Sequence, residues 1–258
     1  MNKPTILVSN DDGIDSIGIQ KLAEELKKIA NVFVVAPSRQ QSAVGHAITM
    51  ASPIRMKKFY KDGNFFGYAV DGTPADCIKL AVRSLFKTKP DLIVSGINHG
   101  SNTAISVIYS GTVSAATEGT ILGIPSIAFS LTTYDEVDFS FSAKFAKNLS
   151  AFILEKKLPK GTLLNVNIPA VDESEIKGVV ITRQGKSIWN DEFESRMDPS
   201  NREYFWLKGE LLELDIEEDV DQKAIMNNKI SITPLQFDLT DYKSFEDLKK
   251  WDVDSLIK

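Results

Sequence analysis

Near its start the chain reads Thr5-Ile6-Leu7-Val8-Ser9-Asn10-Asp11-Asp12-Gly13. A short apolar run of this kind is typical of a strand buried on both faces of a parallel sheet. In open α/β folds the ligand lies just beyond the carboxyl ends of such strands. Two adjacent carboxylates repel each other there, and a divalent cation is the simplest partner that would compensate them. A polar turn that caps the next helix explains residues 10–13 equally well.

Length and composition indicate one large α/β domain, alone or with an appendage. The 258 residues suffice for a substantial core, and 43% hydrophobic with 25% charged residues is ordinary for a soluble globular protein. A net charge of -5 argues against long nucleic acid as a partner but is compatible with one small phosphorylated substrate. The lone Cys77 excludes an intramolecular disulfide and suits a reducing cytosol. Without a signal-peptide or membrane-spanning pattern, we expect a cytoplasmic protein with no membrane partner.

The spacing of apolar residues predicts a mostly parallel sheet. Residues 19–30 have helical spacing, and Val32 to Ala36 read as a second buried strand. Strand, helix and strand of this length form a βαβ unit, which is parallel and right-handed. The same patterns predict further elements: a hairpin at 54–70, helices at 73–86, 110–123 and 139–155, and strands at 92–95, 125–130, 163–168 and 179–182. The fold class is therefore α/β, with a core that closes near residue 183.

The chain changes character beyond residue 183. Two apolar runs flank Lys208-Gly209 and predict a hairpin with its turn there, and residues 230–235 read as another strand. The acidic run 215–221 predicts a solvated loop. A hairpin-rich arm with clustered aromatic residues can pack on its own core or on a second subunit, and we favour the second. The tail 244–258 has the pattern of a short amphipathic helix.

Three later stretches could bring polar groups to the edge where Asp11 and Asp12 lie. The loop 37–46 follows the second strand and carries Ser42, and residues 96–102 follow the third strand with two glycines and two asparagines. Residues 110–112 open a helix of small residues, where free N–H groups and hydroxyls would face an anion. An ordinary surface loop is the alternative for the first stretch, and a well-capped helix for the last.

A set of short motifs in a fixed order extends over residues 5 to about 240. The motifs are Ser9-Asn10-Asp11-Asp12-Gly13, Val35-Ala36-Pro37 with Arg39 and Ser42, Gly72-Thr73-Pro74-Ala75-Asp76-Cys77, Ser95-Gly96-Ile97-Asn98 with Gly100 and Asn102, Tyr109-Ser110-Gly111-Thr112-Val113, Glu118-Gly119, and Ile230-Ser231-Ile232-Thr233-Pro234-Leu235 with Asp238-Leu239-Thr240. Each motif alone is weak, but in this order the chain resembles the SurE family, the stationary-phase survival-protein nucleotidases.

The resemblance implies a metal-dependent phosphatase that acts on nucleoside monophosphates. It implies a Rossmann-like core over about 1–183 and a C-terminal arm over about 184–258 that is exchanged between subunits of a homodimer or homotetramer. One Mg²⁺ or Mn²⁺ ion per subunit would be held by Asp11, Asp12, Ser42 and Asn98. The phosphate would be surrounded by Asn102, Ser110, Gly111 and Thr112, and Asp11 and Asn102 are the expected catalytic residues.

The sequence departs from the family pattern at four places. These are Ser38, Asp15-Ser16-Ile17, Ala104-Ile105-Ser106 and Asn228. Glycine and acidic or amide residues are more typical at 104–106, so this change bears on loop geometry and substrate preference. None of the four falls on a predicted ligand.

The implied ligands are hard oxygen donors, which suit magnesium or manganese rather than zinc. Our hypothesis is that a metal-bound water attacks phosphorus with Asp11 as the base. A covalent aspartyl-phosphate is the rival mechanism, although phosphatases of the haloacid dehalogenase type use Asp-x-Asp and here the acids are adjacent. His99 lies beside Asn98, and we expect a loop histidine there rather than a general acid.

Two other function classes compete with a 5′-nucleotidase. A non-catalytic metal- and nucleotide-binding module would need the same crevice without turnover. A Rossmann oxidoreductase is disfavoured because the first turn is Asn-Asp-Asp-Gly and not Gly-x-Gly-x-x-Gly. The residues do not distinguish 5′-monophosphates from 3′-monophosphates or short polyphosphate.

Overall fold

The structure is a computed structural model that describes residues 3–135, 138–215 and 217–257. Within these ranges the chain forms eleven strands in two sheets. The strands are β1 Thr5–Ser9, β2 Asn31–Pro37, β3 Met56–Lys61, β4 Asn64–Val70, β5 Leu92–His99, β6 Ser126–Leu131, β7 Thr162–Ile168, β8 Val179–Ile181, β9 Ile188–Met197, β10 Glu203–Leu212 and β11 Ile230–Gln236.

The larger sheet has the strand order β3-β4-β2-β1-β5-β6-β7-β11-β8. Strands β4, β2, β1, β5, β6 and β7 run parallel, whereas β3 is antiparallel to β4 and β11 is antiparallel to β7. The predicted mostly parallel α/β fold is therefore confirmed. Because the chain leaves β1 towards β2 on one side and returns to β5 on the other, a crevice opens beyond the carboxyl ends of β1 and β5.

Helices cover both faces of this sheet. They are α1 Ile17–Leu26, α2 Pro74–Ser84, α3 Ser106–Tyr109, α4 Gly111–Ile121, α5 Ser140–Lys156, α6 Asp221–Met226 and α7 Tyr242–Leu248. Helices α1 and α5 bury one apolar cluster against the sheet, and α2 and α4 bury another that includes Cys77. No helix in the described ranges is both long enough and apolar enough to cross a bilayer.

The C-terminal segment differs from the prediction in two respects. Strand β11 pairs with β7 and β8 inside the larger sheet, so the sheet is completed beyond residue 183. The hairpin β9–β10 turns at residues 198–202 and not at Lys208-Gly209, which lies inside β10. The reason is local: the Asp198 carboxylate accepts the N–H groups of Ser200 and Arg202 and closes the turn.

Candidate functional site

The carboxyl ends of β1 and β5 open into a cleft of about 720 Å³, called here the main cleft. Five predicted site residues line it: Asp11, Ser42, Asn98, Asn102 and Ser110. They come from the turn after β1, the loop after β2, the end of β5, the loop that follows it, and the residue before α4. The parallel sheet thus brings together side chains that are far apart in sequence.

Asp11 lies at the base of the main cleft and is only 4% exposed. The Thr112 hydroxyl donates a hydrogen bond to Asp11 Oδ1. Gly111 lies so close that a Cβ there would be 2.6 Å from the Cβ of Asp11. Burial raises the pKa of Asp11 to about 6, the bond from Thr112 opposes this, and repulsion by Asp12 adds to it. The hydroxyl of Thr112, predicted to bind phosphate, is therefore engaged by Asp11.

Asp12 faces a second cleft of about 650 Å³ beside the main one. Ser16, Gln40 and Phe139 also line this second cleft. The backbone N–H of His99 donates to Asp12 Oδ2 over 3.2 Å. Burial raises the pKa of Asp12, and the His99 N–H opposes the rise. His99 borders both clefts, and the carboxylates of Asp11 and Asp12 therefore face two clefts that adjoin at this histidine.

Asn98 and Ser42 each present an oxygen to the main cleft. The Asn98 amide nitrogen donates to the carbonyl of Gly100 over 2.7 Å, which leaves the side-chain oxygen as the atom available to a ligand. The Ser42 hydroxyl accepts a hydrogen bond from Gln40 Nε2 over 2.7 Å and keeps a further lone pair. Both oxygens are of the type that a hard divalent cation prefers.

Asn102 is held by polar residues that the sequence analysis did not single out. Its Nδ2 donates to Ser130 Oγ over 2.8 Å, and its backbone N–H donates to Asn167 Oδ1 over 2.8 Å. Its carbonyl accepts from the amides of Asn165 and Asn167. These supporting residues are fully buried in β6 and β7. Asparagines at positions 165 and 167 of a buried strand were the available signal, because buried amides need specific partners.

Two buried carboxylates hold the loop that carries Ser42. His46 lies 3.0 Å from Glu118 of α4, and the Thr49 backbone N–H donates to Asp76 of α2 over 2.9 Å. Both partners are at most 3% exposed. The position of Ser42 therefore depends on α2 and α4 as well as on β2.

The root of the hairpin β9–β10 also borders the main cleft. From its sequence this segment is predicted only to form an oligomerisation arm. The hairpin residues that line the cleft are Trp189, Asp191, Leu207, Lys208 and Gly209. The indole N–H of Trp189 donates to Ser106 Oγ over 3.3 Å, which connects the hairpin to α3.

Asp221 fixes the hairpin root to the loop that precedes α3. It is fully buried, which contradicts the predicted solvated loop at this end of the acidic run. Its carboxylate accepts the backbone N–H groups of Ala104, Gly185 and Gln222 over 2.9, 3.0 and 2.7 Å. Burial raises the pKa of Asp221 and these three bonds oppose the rise. Acidic runs are normally solvated, and nothing local in the sequence reveals these distant partners.

The acid pair suits a divalent cation. Within the described ranges, neither Asp11 nor Asp12 has a lysine or arginine beside it to balance its charge. A buried Asp11 beside a half-buried Asp12, with no lysine or arginine partner, is costly, and a dication with oxygen ligands would compensate both. The same ranges contain no cluster of three or more His, Cys, Asp or Glu side chains suited to a metal. The predicted metal ligands include only two such side chains, those of Asp11 and Asp12, and the other two ligands are Ser42 and Asn98.

Comparisons with known proteins agree with the geometry. The family model described as "Survival protein SurE" matches residues 6–191. A protein of Chlorobium phaeobacteroides named "5'-nucleotidase SurE" is 47% identical over 253 residues, which cover 98% of each chain. A protein of the same name from Flavobacterium psychrophilum is 46% identical over 98% of this chain and 99% of its own.

A solved structure extends the similarity to three dimensions. The structure titled "Crystal Structure of Sure Protein from Aquifex aeolicus" matches with a TM-score of 0.83 and 44% identity. The match covers 95% of this chain and 98% of that one. The likeness therefore includes the C-terminal segment as well as the sheet.

Proposed function

This chain belongs to the SurE family, and on that premise we propose that it releases phosphate from nucleoside 5′-monophosphates with the help of one Mg²⁺ or Mn²⁺ ion per subunit. Relatives at nearly half identity over the whole chain carry the name 5′-nucleotidase. The observation that supports the metal dependence is that Asp11, Ser42 and Asn98 line the main cleft, with Asp12 facing the second cleft beside it. The substrate range of the proposal includes 3′-monophosphates and short polyphosphate as secondary substrates.

The predicted metal ligands and the predicted phosphate-binding residues have separate roles. Asp11, Asp12, Ser42 and Asn98 would hold the ion, which when bound withdraws charge from the phosphoryl group. The Ser110 Oγ accepts the Val113 N–H as the cap of α4, so it is fixed at the cleft surface. The phosphate lies against Ser110, the start of α4 at Gly111 and the side-chain amide of Asn102, which has one N–H besides the one donated to Ser130.

Asp11 and Asn102 are the proposed catalytic residues. In this step a water molecule attacks phosphorus, and Asp11 accepts one of its protons at the carboxylate oxygen that Thr112 does not occupy. The P–O bond to the nucleoside breaks, and the released nucleoside oxygen takes up a proton from water. Asn102 orients the phosphate, because its backbone and side chain are immobilised by Ser130 and Asn167. A fixed donor stabilises the charge of the transition state without reorganising.

The metal dependence is tested with Asp12→Asn and a chelator. Release of phosphate from AMP with Mn²⁺ should fall at least about a hundredfold in the variant and vanish on metal removal. Asp15→Asn is the matched control, since Asp15 is an exposed acid of the same turn. A variant that retains full turnover would refute the ligand assignment.

A non-catalytic module predicts a different result. It would bind metal and nucleotide yet release no phosphate from any ester in a panel of 5′- and 3′-monophosphates and tripolyphosphate. A phosphorylated Asp11 trapped during turnover would instead favour the covalent mechanism. The same panel ranks the secondary substrates.

A further inference from the structure

Exposed aromatic residues border the main cleft. Tyr109 is 54% exposed and Trp189 is 41% exposed, although both line the cleft. Large exposed rings beside a polar site are a common sign of ligand contact. Neither ring has a part in metal binding or in the proton transfer proposed above.

Trp189 is held in place by the element that ends in Tyr109. Its indole N–H donates to Ser106, the first residue of α3, and Tyr109 is the last residue of the same helical turn. The backbone N–H of Ile105 also donates to the carbonyl of Ser187 over 3.4 Å. The Trp189 ring is therefore attached to the helical turn that carries Tyr109, so less conformational freedom is lost at Trp189 when a ligand binds.

Tyr109 directly precedes the proposed phosphate site at Ser110 and Gly111. A nucleoside monophosphate bound by its phosphate there places its sugar and base within the same cleft. Bases stack on exposed aromatic rings, and such stacking is largely independent of base identity. The cleft thus offers an apolar, planar surface next to an anion site, which matches the two ends of a nucleotide.

We propose that Tyr109 and Trp189 bind the nucleobase of the substrate, so that the hairpin root supplies part of the substrate site. The proposal rests on the proposed function, because it assigns the remaining half of the same substrate. Base recognition is by stacking and is broad, with purines preferred over pyrimidines because their larger rings bury more area.

The hairpin root presents few free polar groups for base discrimination. Lys208 lies at the cleft but pairs with Glu194, a contact that occupies its ammonium group. Gly209 presents no side chain, and its backbone is opposite Asp191 in the hairpin register. Asp191 is thus the remaining acidic side chain of the hairpin at the cleft, and its oxygens can accept a hydrogen bond from a base that presents a donor.

The decisive experiment compares AMP with ribose 5-phosphate, which has the same phosphate ester and no base. Trp189→Ala and Tyr109→Ala should each raise KM for AMP by about tenfold or more. The values of kcat and KM for ribose 5-phosphate should stay within about twofold. Trp189→Phe and Tyr109→Phe retain a ring and should restore most of the AMP affinity. Trp251→Ala is the matched control, since Trp251 is an exposed tryptophan of the tail.

Binding measurements separate this proposal from the proposed function. Titration calorimetry with AMP and with ribose 5-phosphate, in the presence of Mn²⁺, reports on the rings whether or not phosphate is released. Equal losses for both ligands would mean that the rings are structural, and unchanged AMP binding would mean that they do not touch the base. Either result overturns the proposal, while loss confined to AMP supports it.

Discussion

The residues that pack against Asp11 fix the position of its carboxylate. Gly111 permits close approach from one side, and the hydroxyl of Thr112 fixes Oδ1 from the other. From the sequence, both residues are predicted to surround the phosphate. In the structure both residues contact Asp11, and we propose that they serve the reaction by positioning this group.

Gly111→Ala tests this close packing. The new Cβ would lie 2.6 Å from the Asp11 Cβ and 2.9 Å from Oδ2, so Asp11 must shift. We expect kcat for AMP to fall about a hundredfold, the typical cost of a displacement of about 1 Å at a reacting group. Overpacking should lower the free energy of unfolding by about 1–3 kcal/mol.

The control for this substitution is Thr117→Ala in the same helix. The Thr117 hydroxyl donates only to the backbone carbonyl of Val113, so its loss should leave kcat unchanged. Full activity of Gly111→Ala, measured beside this control, would contradict the positioning role. Chemical denaturation of both variants measures their free energies of unfolding.

At the scale of elements, prediction from sequence worked where the signal is local. The β1 strand, the helix that begins near Thr73, and the early hairpin are encoded by neighbouring residues, and all three predictions are confirmed. Partners distant in sequence were not predictable: His46 meets Glu118 across 72 positions. The hairpin turn was misplaced because Gly209 resembles a turn residue, although it only pairs opposite Asp191.

The loop after β2 provides a pH-dependent test. Burial opposes ionisation of Glu118, but His46 and Lys79 outweigh this and lower its pKa. A lowered pKa means that ionised Glu118 stabilises the folded state above its unfolded pKa, and that this is lost as the pH falls through the folded pKa. Glu118→Gln should therefore reduce the free energy of unfolding by about 1–3 kcal/mol at pH 7.

The difference between Glu118→Gln and the unaltered protein should begin to shrink once the pH falls below the ordinary glutamate pKa of about 4.3, and should go on shrinking as the pH falls through the lowered pKa of the folded state. Urea unfolding at pH 7, 5 and 3.5 measures this difference in the free energy of unfolding. Glu24→Gln, an exposed acid of α1, should change stability by less than about 0.5 kcal/mol at each pH. A difference independent of pH would exclude the ion pair as its source.

At the scale of the whole molecule, the hairpin β9–β10 joins the main cleft to an exposed apolar surface. Trp189 lies at the root, and the same face continues outward with Phe193, Phe205 and Leu207, which are 67%, 57% and 58% exposed. A two-stranded ribbon with such a face is marginally stable alone. We therefore retain the proposal of a homodimer or homotetramer formed through the C-terminal arm.

Charged residues on this face test the oligomer. The double variant Phe193→Asp and Phe205→Asp should weaken association more than about a hundredfold, because each buried phenyl ring contributes about 1.5–3 kcal/mol. Light scattering after size exclusion should then show the mass of one chain. Trp206→Asp, on the opposite face of the ribbon, is the control and should keep the mass of the unaltered protein. A double variant with unchanged mass would contradict an interface on this face.

The position of β11 has a consequence for biosynthesis. Strand β8 reaches the sheet only through β11, and β11 itself pairs with β7. Between Ile168 and Gln236 the ribosome adds 68 residues, so at roughly 5–20 residues per second the edge of β7 stays open for about 3–14 s. During that interval the nascent chain exposes an apolar strand edge that invites mispairing. Because β11 is the last strand to be synthesised and covers the edge of β7, the time needed to reach β11 is the time during which each nascent chain must be kept from pairing with other chains.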